Sequence, residues 1–308
     1  MATTTNITTT YAGEFAGKYI SSALLSANTI DKGGVEVMPN IKYKSTMKKV
    51  ATDANVIKNA SCDFDATATV TLTERLLQPE EFQVNLQFCK QDFQSDWEAV
   101  QMGISAFDNL PPKFSDFIIG HVAGLVAEKT EKNIWEGVNA NAGEFDGLVT
   151  LALADTDVID APNHAAVTAA NVVEKLGEIV DSIPAALYGK EDVHIYISQN
   201  IARAYVRALG GFAATNSGVN AQSHMWYGDG ALSFDGVKLF VANGLNDDTA
   251  MAAQRSNLYF GTGLLNDMNE VKVLDMADLD GSQNVRVVMR YTSAVNYGIG
   301  SDVVLYHA

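Results

Sequence analysis

The sequence predicts a mixed α+β fold, and three patterns support that prediction. Apolar residues recur every three or four positions from Phe114 to Trp135, which is typical of one long amphipathic helix. From Phe82 to Phe88, apolar residues alternate strictly with Gln and Asn, as in a strand that buries one face. The C-terminal third contains short runs rich in Val, separated by Gly or Asp-Gly turns, which indicate several short strands.

The N-terminal region predicts an arm followed by an extended excursion. Residues 2–10 are rich in Thr and poor in apolar groups, so we expect a mobile arm. Phe15 and Tyr19 then fall at near-helical spacing in a short amphipathic stretch, which Gly33-Gly34 ends. Residues 35–50 are Lys-rich, and residues 66–72 alternate Thr with apolar side chains. Together these two segments predict a long two-stranded excursion.

Capping residues predict where the helices begin and end. We expect Ser115 or Asp116 to cap the long helix and Gly137 to end it in a left-handed turn. A second helix is predicted for residues 171–187, where Asn171 and Glu174 have the spacing of a capping box. The residues expected on its inward face are Val172, Val173, Leu176, Ile179, Val180 and Ile183.

A strand, a third helix and a long loop are predicted next. Val193–Ile197 reads as a buried strand, and Ser198 is placed to cap a helix that ends at Gly210-Gly211. Residues 210–235 are rich in Gly, Ser and Asn, so we expect a long surface loop. The remaining predicted strands are Val237–Val241, Val271–Leu274, Val285–Tyr291 and Val303–Tyr306.

Composition and charge exclude several classes of protein. The chain has 308 residues, of which 47% are apolar and 19% charged, so it can bury a core and is not wholly disordered. Its net charge of −16 argues against a dedicated nucleic-acid reader. Residues 1–60 nevertheless carry a net +3, with seven Lys and four acidic residues, so a basic segment can still attract an acidic neighbouring copy.

The two cysteines, Cys62 and Cys89, do not indicate a disulfide scaffold, and no secretory signal precedes them. Synthesis in a reducing cytoplasm fits this pattern. The apolar stretches are interrupted too often to form a membrane helix.

Motifs for catalysis, cofactors and metals are not found, and none of these sites is predicted. Gly261-Thr262-Gly263 is interpreted as a plain turn rather than a dinucleotide loop. Asp275, Asp278 and Asp280 are interpreted as part of a hairpin turn rather than a calcium loop.

His121 is interpreted as a hydrogen-bonded histidine of the core or of an interface, and Cys89 as a small buried residue. The basic run contains Lys42, Lys44, Lys48 and Lys49. For this run a subunit contact and a solvated face remain equally open.

Several short sequence motifs, taken in order along the chain, resemble those of a known family. They are Met38-Pro39-Asn40-Ile41, Glu81-Phe82-Gln83-Val84, Asn133-Ile134-Trp135-Glu136-Gly137, Phe145-Asp146-Gly147-Leu148, Val193-His194-Ile195-Tyr196-Ile197-Ser198, Phe234-Asp235-Gly236-Val237 and Asn257-Leu258-Tyr259-Phe260-Gly261-Thr262. With the order of the predicted elements, they make the sequence similar to the major capsid proteins of tailed bacteriophages, which have the HK97-like fold. The resemblance spans nearly the whole chain.

The resemblance implies four segments. Residues 1–33 are expected to form an N-terminal arm and 34–80 an extended loop. Residues 81–160 and 256–308 are expected to form a peripheral domain with a long spine helix, and 161–255 an axial domain.

The resemblance also implies a function: self-assembly, through hexamers and pentamers, into an icosahedral shell that encloses phage double-stranded DNA. The implied partners are other copies of the chain, DNA contacted non-specifically, and separate scaffolding, portal and decoration proteins, with no membrane. The Lys–Asn cross-link of some members is not matched here. Two alternatives stay open: the shell of an encapsulin-type nanocompartment, and a small soluble α+β enzyme suggested only by Asp278, Asp280 and His121.

We expect the subunit interface to include Phe15, Tyr19, Lys42, Lys44, Lys48, Lys49 and Trp226. Arm and loop cannot bury their own apolar surface, so they need neighbours. The lysines are expected to meet acids of a neighbouring copy among Asp92, Asp96, Glu98, Glu128 and Glu131.

Overall fold

The computed structural model describes residues 28–52, 57, 59, 69–89, 112–209, 232–263, 272–277 and 281–308. These residues fall into two compact units. The smaller unit takes in the described parts of residues 82–126 and 266–291, and the larger unit those of 25–81, 127–265 and 292–308. None of the helices in these ranges is long and apolar enough to cross a membrane.

The helices are α1 (Asn28–Asp31), α2 (Pro112–Glu136), α3 (Leu148–Ala154), α4 (Val172–Asp181) and α5 (Gln199–Ala208). The strands are β1 (Glu36–Met38), β2 (Ser45–Thr52), β3 (Val70–Leu77), β4 (Glu80–Cys89), β5 (Ile159–Asp160), β6 (Val193–Ile197), β7 (Ser233–Phe234), β8 (Val237–Val241), β9 (Ala250–Gln254), β10 (Leu258–Thr262), β11 (Lys272–Asp275), β12 (Asn284–Tyr297) and β13 (Val304–Tyr306). The predicted α+β class is therefore confirmed.

The smaller unit is built on the first part of β12. That part pairs with β11 in antiparallel register, Lys272 opposite Val288 and Asp275 opposite Val285, and β4 also pairs with β12. Phe82 packs on Tyr291, with ring centroids 5.6 Å apart. Along β4 the apolar residues alternate with exposed polar ones, which confirms the predicted strand.

The core of the larger unit lies on a six-stranded sheet of order β5-β13-β9-β6-β8-β7. Helices α4 and α5 contribute residues such as Leu176 and Ile201 to the core cluster of this sheet. The central strand β6 supplies Ile195 and Ile197, both fully buried. Val304 and Tyr306 of β13 belong to the same cluster, so the end of the chain is part of this core.

Three strands and a separate ribbon complete the larger unit. Strand β1 runs parallel to β10, which pairs antiparallel with the second part of β12. Strands β2 and β3 pair only with each other within the described residues. The predicted two-stranded excursion is therefore confirmed, although its second strand begins at Val70 and continues to Leu77.

A buried polar network fixes α1 against α2. The Glu131 carboxylate, fully buried, accepts hydrogen bonds from the Thr29 backbone N–H at 3.1 Å and from its hydroxyl at 2.5 Å. The Trp135 indole N–H donates to the same hydroxyl at 2.9 Å, and the Trp135 ring packs on Tyr196 with centroids 5.1 Å apart. Burial raises the pKa of Glu131, although the hydrogen bonds from Thr29, Gly244 and Trp135 oppose that shift.

The predicted N-terminal cap of α2 and the predicted left-handed turn at Gly137 are wrong, although the helix ends just before Gly137, as expected. The helix begins at Pro112, so Ser115 and Asp116 lie inside it and cannot cap its first turn. Gly137 does not adopt a left-handed conformation. It is required by close packing instead, because a Cβ there would collide with the backbone oxygens of Phe145 and Asn133.

The predicted capping box of α4 is also wrong. The Asn171 side chain makes no cap bond and instead accepts from the Thr168 N–H at 2.7 Å, in the preceding turn. The helix ends at Asp181, ahead of Pro184, and Val173 is half exposed because it lies off the buried stripe.

The predicted strand β6 and the predicted cap of α5 are confirmed. Val193–Ile197 forms β6, and the Ser198 hydroxyl accepts from the Ile201 N–H at 3.4 Å at the start of α5. Asp235 and Gly236 both have positive φ and form the two-residue turn between β7 and β8.

Gly261-Thr262-Gly263 is not the plain turn that we expected. Gly261 and Thr262 belong to β10, opposite Ala294 and Ser293 of β12. A Cβ on Gly261 would lie 2.8 Å from the Leu77 side chain, so glycine allows this strand to approach the base of the ribbon.

We predict that Gly137→Ala lowers the free energy of unfolding by about 1–3 kcal/mol, because the added methyl group meets backbone atoms that cannot move aside. Gly177→Ala in α4 is the matched control, since no atom lies within 4 Å of the added methyl group. It should be neutral or stabilising, because alanine favours helix over glycine. Urea unfolding of both variants tests this, and equal stabilities would contradict it.

Candidate interaction surface

The register of the β2–β3 ribbon separates its residues into two faces. Ser45 lies opposite Leu77, Lys48 opposite Glu74 and Val50 opposite Leu72. Because side chains alternate along a strand and directly paired residues share a face, even-numbered residues lie on one side and odd-numbered residues on the other. We name the even-numbered side the outer face; it comprises Thr46, Lys48, Val50, Val70, Leu72, Glu74 and Leu76.

The outer face is largely apolar and exposed. Val50, Val70, Leu72 and Leu76 are 63%, 63%, 66% and 50% exposed. The remaining members include the ion pair Lys48–Glu74, with 3.8 Å between Nζ and Oε1 and both side chains more than half exposed. Such a pair contributes about 0–1 kcal/mol. Four large apolar side chains grouped on one face are typical of an interaction site.

The opposite, inner face is anchored at the base of the ribbon. Leu77 is buried and packs with Ile41 and Ala294, while Met47 lies against the same cluster. Lys49 reaches Ser301 with 3.4 Å between Nζ and Oγ. Toward the tip, Thr71 and Thr73 are exposed. The contacts at the base therefore decide which face the ribbon turns to solvent.

Arg75 supplies the charged part of this anchor. Its guanidinium bonds the Asp155 carboxylate and lies over the Tyr297 ring, 4.5 Å from the centroid. The Tyr297 hydroxyl donates to Asp155 at 2.8 Å, and the Asp157 N–H donates at 3.0 Å. Burial opposes ionisation of Asp155, but the bonds from Asp157, Arg75 and Tyr297 outweigh it and lower the pKa of this carboxyl.

The four lysines of the basic run do not share one face. Lys48 lies on the outer face and Lys49 on the inner face. Lys42 and Lys44 are exposed in the segment that leads into β2, where Lys44 lies 5.2 Å from the centroid of the exposed Tyr43 ring. The outer face therefore combines apolar side chains with one paired lysine, Lys48.

One of the acidic residues expected to pair with the lysines of a neighbouring copy is excluded from that role. Glu131 is fully buried within its own subunit and cannot meet a neighbour, so this expectation was wrong. Glu128 is half-buried on α2. Asp92, Asp96 and Glu98 lie outside the described residues, as do Phe15, Tyr19, Trp226 and nearly all of the predicted 210–235 loop.

Three of the residues considered for chemistry, His121, Cys89 and Asp275, lie within the described residues. His121 is half-buried on α2, and Cys89 is half-buried at the end of β4 rather than fully buried. Asp275 ends β11, which pairs antiparallel with the next strand β12, so this residue lies where the expected hairpin connection begins. Asp278 and Asp280 lie outside the described residues.

The sequence analysis did not single out Val50, Val70, Leu72 and Leu76 as exposed apolar residues that share one face. Their signal in β3 is the spacing of Val70, Leu72 and Leu76 at even-numbered positions, whereas β2 contributes one large apolar residue to this face, Val50. Reading it requires the cross-strand register, which the sequence does not show.

The chain has the fold of known capsid structures. It aligns with a structure from Gordonia phage Cozz with a TM-score of 0.62 and 11% identity, over 97% of this chain and 91% of that one. The capsid of a native GTA particle gives 0.63 and 11%, over 95% and 94%. The capsid of Myoviridae phage XM1 gives 0.60 and 10%, over 94% of each chain.

No protein-family model and no curated protein matches the sequence. The fold is therefore identified through structure, and the predicted HK97-like capsid fold is confirmed.

We predict that Arg75→Met loosens the ribbon and lowers the free energy of unfolding by about 1–3 kcal/mol, since it leaves the partly buried Asp155 carboxylate without its cation. The control Lys48→Ala, which breaks the exposed pair on the same ribbon, should change it by less than about 0.5 kcal/mol.

The effect of Arg75→Met should depend on pH in a defined direction. The folded-state pKa of Asp155 is lowered, so its contribution is present above the carboxyl pKa of the unfolded chain and is lost as the pH falls through the folded-state pKa. The stability gap between wild type and Arg75→Met should therefore narrow on acidification. Urea unfolding at several pH values measures this gap, and a constant gap would contradict the assignment.

Proposed function

We propose that this protein is a structural virion protein that self-assembles, through hexamers and pentamers, into the icosahedral capsid shell of a tailed phage. The observation that carries the proposal is the exposed apolar outer face of the ribbon, on a chain with a capsid fold. An isolated two-stranded ribbon is marginally stable in water, so its outer face needs a partner. The partner that accounts for it is another copy of the same chain.

Heterologous contacts of this kind can build a closed shell. A ribbon that reaches a different surface on the next subunit forms a ring when the rotation closes. Each contact is repeated at every copy, so a modest interaction between two chains gains strength through multivalency. No catalytic step is needed for this role, and we assign the chain a structural rather than an enzymatic function.

The segment assignment follows the same proposal. Residues 1–33 serve as the arm, 34–80 as the extended loop, 81–160 and 256–308 as the peripheral domain, and 161–255 as the axial domain. The ribbon lies within the extended loop, and Arg75 and Leu77 anchor its base. Four strands of the six-stranded sheet, β6 to β9, lie within the axial segment, and β5 and β13 complete one edge of this sheet from the flanking segments.

The charge of the chain fits enclosed DNA. With a net charge of −16, the protein gains little by counterion release, so packaged DNA contacts it weakly and without sequence preference. We place assembly in the host cytoplasm, with separate scaffolding, portal and decoration proteins as the further partners. An encapsulin-type shell is less well supported, because the similar structures described above come from phage and GTA particles.

We predict that Leu72→Glu prevents assembly while the subunit still folds. The change places a charge at the most exposed apolar position of the outer face, opposite Val50, and the penalty recurs at every subunit contact. Thr73→Glu is the matched control, since it puts the same charge one residue away on the inner face, opposite Lys49.

Electron microscopy of the purified proteins distinguishes the outcomes. Particles from wild type and Thr73→Glu, with none from Leu72→Glu, would support the proposal. Normal particles from Leu72→Glu would show that solvent, not a neighbour, covers the outer face.

A second prediction addresses the basic run. Replacing Lys42, Lys44, Lys48 and Lys49 together by Glu should block assembly at low salt and allow partial recovery at high salt, because screening shortens the reach of the new repulsion. A single Lys→Ala change should be tolerated. Light scattering at increasing salt concentrations measures how much of the quadruple variant assembles. Normal assembly of this variant at low salt would show that the four lysines face solvent.

A further inference from the structure

A cluster of side chains of the types that bind metals lies at one edge of the six-stranded sheet. Asp160, His164 and His307 bring one donor atom each to within 4.8 Å of one another. They come from three places: the end of β5, the following loop, and the residue after β13. This set is not visible in the sequence, because His307 is distant in the chain and the spacing of Asp160 and His164 alone does not indicate a metal site.

Paired strands fix two of the three residues. Strands β5 and β13 run parallel, with Leu305 opposite Asp160, and the Ala161 N–H donates to the Leu305 carbonyl at 2.8 Å. Asp160 and His307 therefore emerge side by side from the same ends of neighbouring strands.

His164 is returned to this edge by a turn that the structure holds firmly. Asn163 has a φ of 59°, which reverses the chain after β5, and its side-chain amide donates to Glu178 at 2.9 Å. The Tyr306 hydroxyl bonds both the N–H and the carbonyl of Ala165, at 3.1 Å and 2.5 Å. The loop that carries His164 is thus tied to β13.

The two ring nitrogens of His164 have distinct surroundings. Nδ1 lies 2.5 Å from the carbonyl oxygen of His307, and Nε2 lies 3.2 Å from Oδ2 of Asp160. A histidine ligand usually donates its second ring N–H to a carbonyl or carboxylate, which fixes the tautomer and leaves the other nitrogen to the metal. This arrangement leaves Nε2 as the ligand atom.

The distances suit a tetrahedral transition-metal ion. Zinc bonds to nitrogen and oxygen are about 2.0–2.2 Å long, so two ligand atoms at the tetrahedral angle lie about 3.3 Å apart. The 3.2 Å between His164 Nε2 and Asp160 Oδ2 matches that separation. The His307 ring stacks on His164 with centroids 4.6 Å apart, so a rotation of His307 brings its nitrogen to the same ion.

We propose that Asp160, His164 and His307 form a binding site for a divalent transition-metal ion of the Zn²⁺ type. Two imidazoles and one carboxylate are ligands that such ions accept. The Asp160 side chain is 64% exposed and that of His164 33% exposed, so the ion has access and water completes the coordination. The bound ion fastens β13 to β5 and to the loop after it.

Zinc titration of the purified full-length chain against a chromophoric chelator tests the proposal. Wild type should bind one Zn²⁺ at this site, and Asp160→Asn, His164→Gln and His307→Gln should each weaken that binding about tenfold or more. His194→Gln is the matched control, because His194 lies on β6, two strands from β13, and contributes no ligand to the cluster. It should bind as wild type does.

Thermal unfolding provides a second readout that does not depend on the chelator. Zn²⁺ should raise the unfolding midpoint of wild type and His194→Gln and leave those of the three ligand variants unchanged. Circular dichroism without metal establishes that each variant is folded. Absence of Zn²⁺ binding by wild type, or equal binding by wild type and the ligand variants, would overturn the proposal and leave His164 and Asp160 as a simple hydrogen-bonded pair.

Discussion

The pairing register of β2 and β3 is the constraint on which the proposed function depends. A shift of β3 by one residue against β2 would carry Leu72 inward and Arg75 and Leu77 outward, so that Val50 and Leu72 would no longer share a face. Two anchors oppose that shift: the apolar cluster around Leu77 and the bonds of Arg75 to Asp155 and Tyr297. Because the anchors engage only the base of the ribbon, they set its direction without covering its outer face.

The anchors are connected to the rest of the larger unit by close packing. Gly261 in β10 lets Leu77 and Ile41 approach the sheet, and Tyr297, at the end of β12, carries the ring under Arg75. Asp155 follows α3, whose entry depends on Gly147, where a Cβ would lie 2.5 Å from the Trp135 backbone. The ribbon is therefore oriented by side chains that belong to the folded body.

Most of what could be predicted from the sequence was local. Patterns of apolar residues predicted helix α2, the alternating strand β4 and the buried strand β6. A single residue, Ser198, predicted the N-terminal cap of α5. The N-terminal end of α2 was placed wrongly because Ser115 and Asp116 have good cap chemistry, whereas the helix starts earlier at Pro112.

Strand β9 was missed because Ala250–Gln254 has neither alternation nor branched residues; its first four residues are all buried, and only its two neighbours in the sheet show it to be a strand. The outer face and the Asp160, His164 and His307 cluster were missed for one shared reason: each depends on which strands pair, and at what register.

The ribbon and the buried network around Glu131 contribute differently to the stability of a single chain. Glu131 is a buried carboxyl group with donors from three residues, Thr29, Gly244 and Trp135, around it. Burial still raises its pKa, so the buried carboxyl group is costly, and what it contributes is a fixed contact between α1 and α2. The outer face of the ribbon is the reverse case, because apolar side chains remain in water and contribute little to the stability of one chain. On the proposed function, that free energy is released only when a second copy covers the face. In a single chain the ribbon is held at its base by Leu77 and Arg75, and on the proposed function a neighbouring copy adds the stability that its outer face lacks.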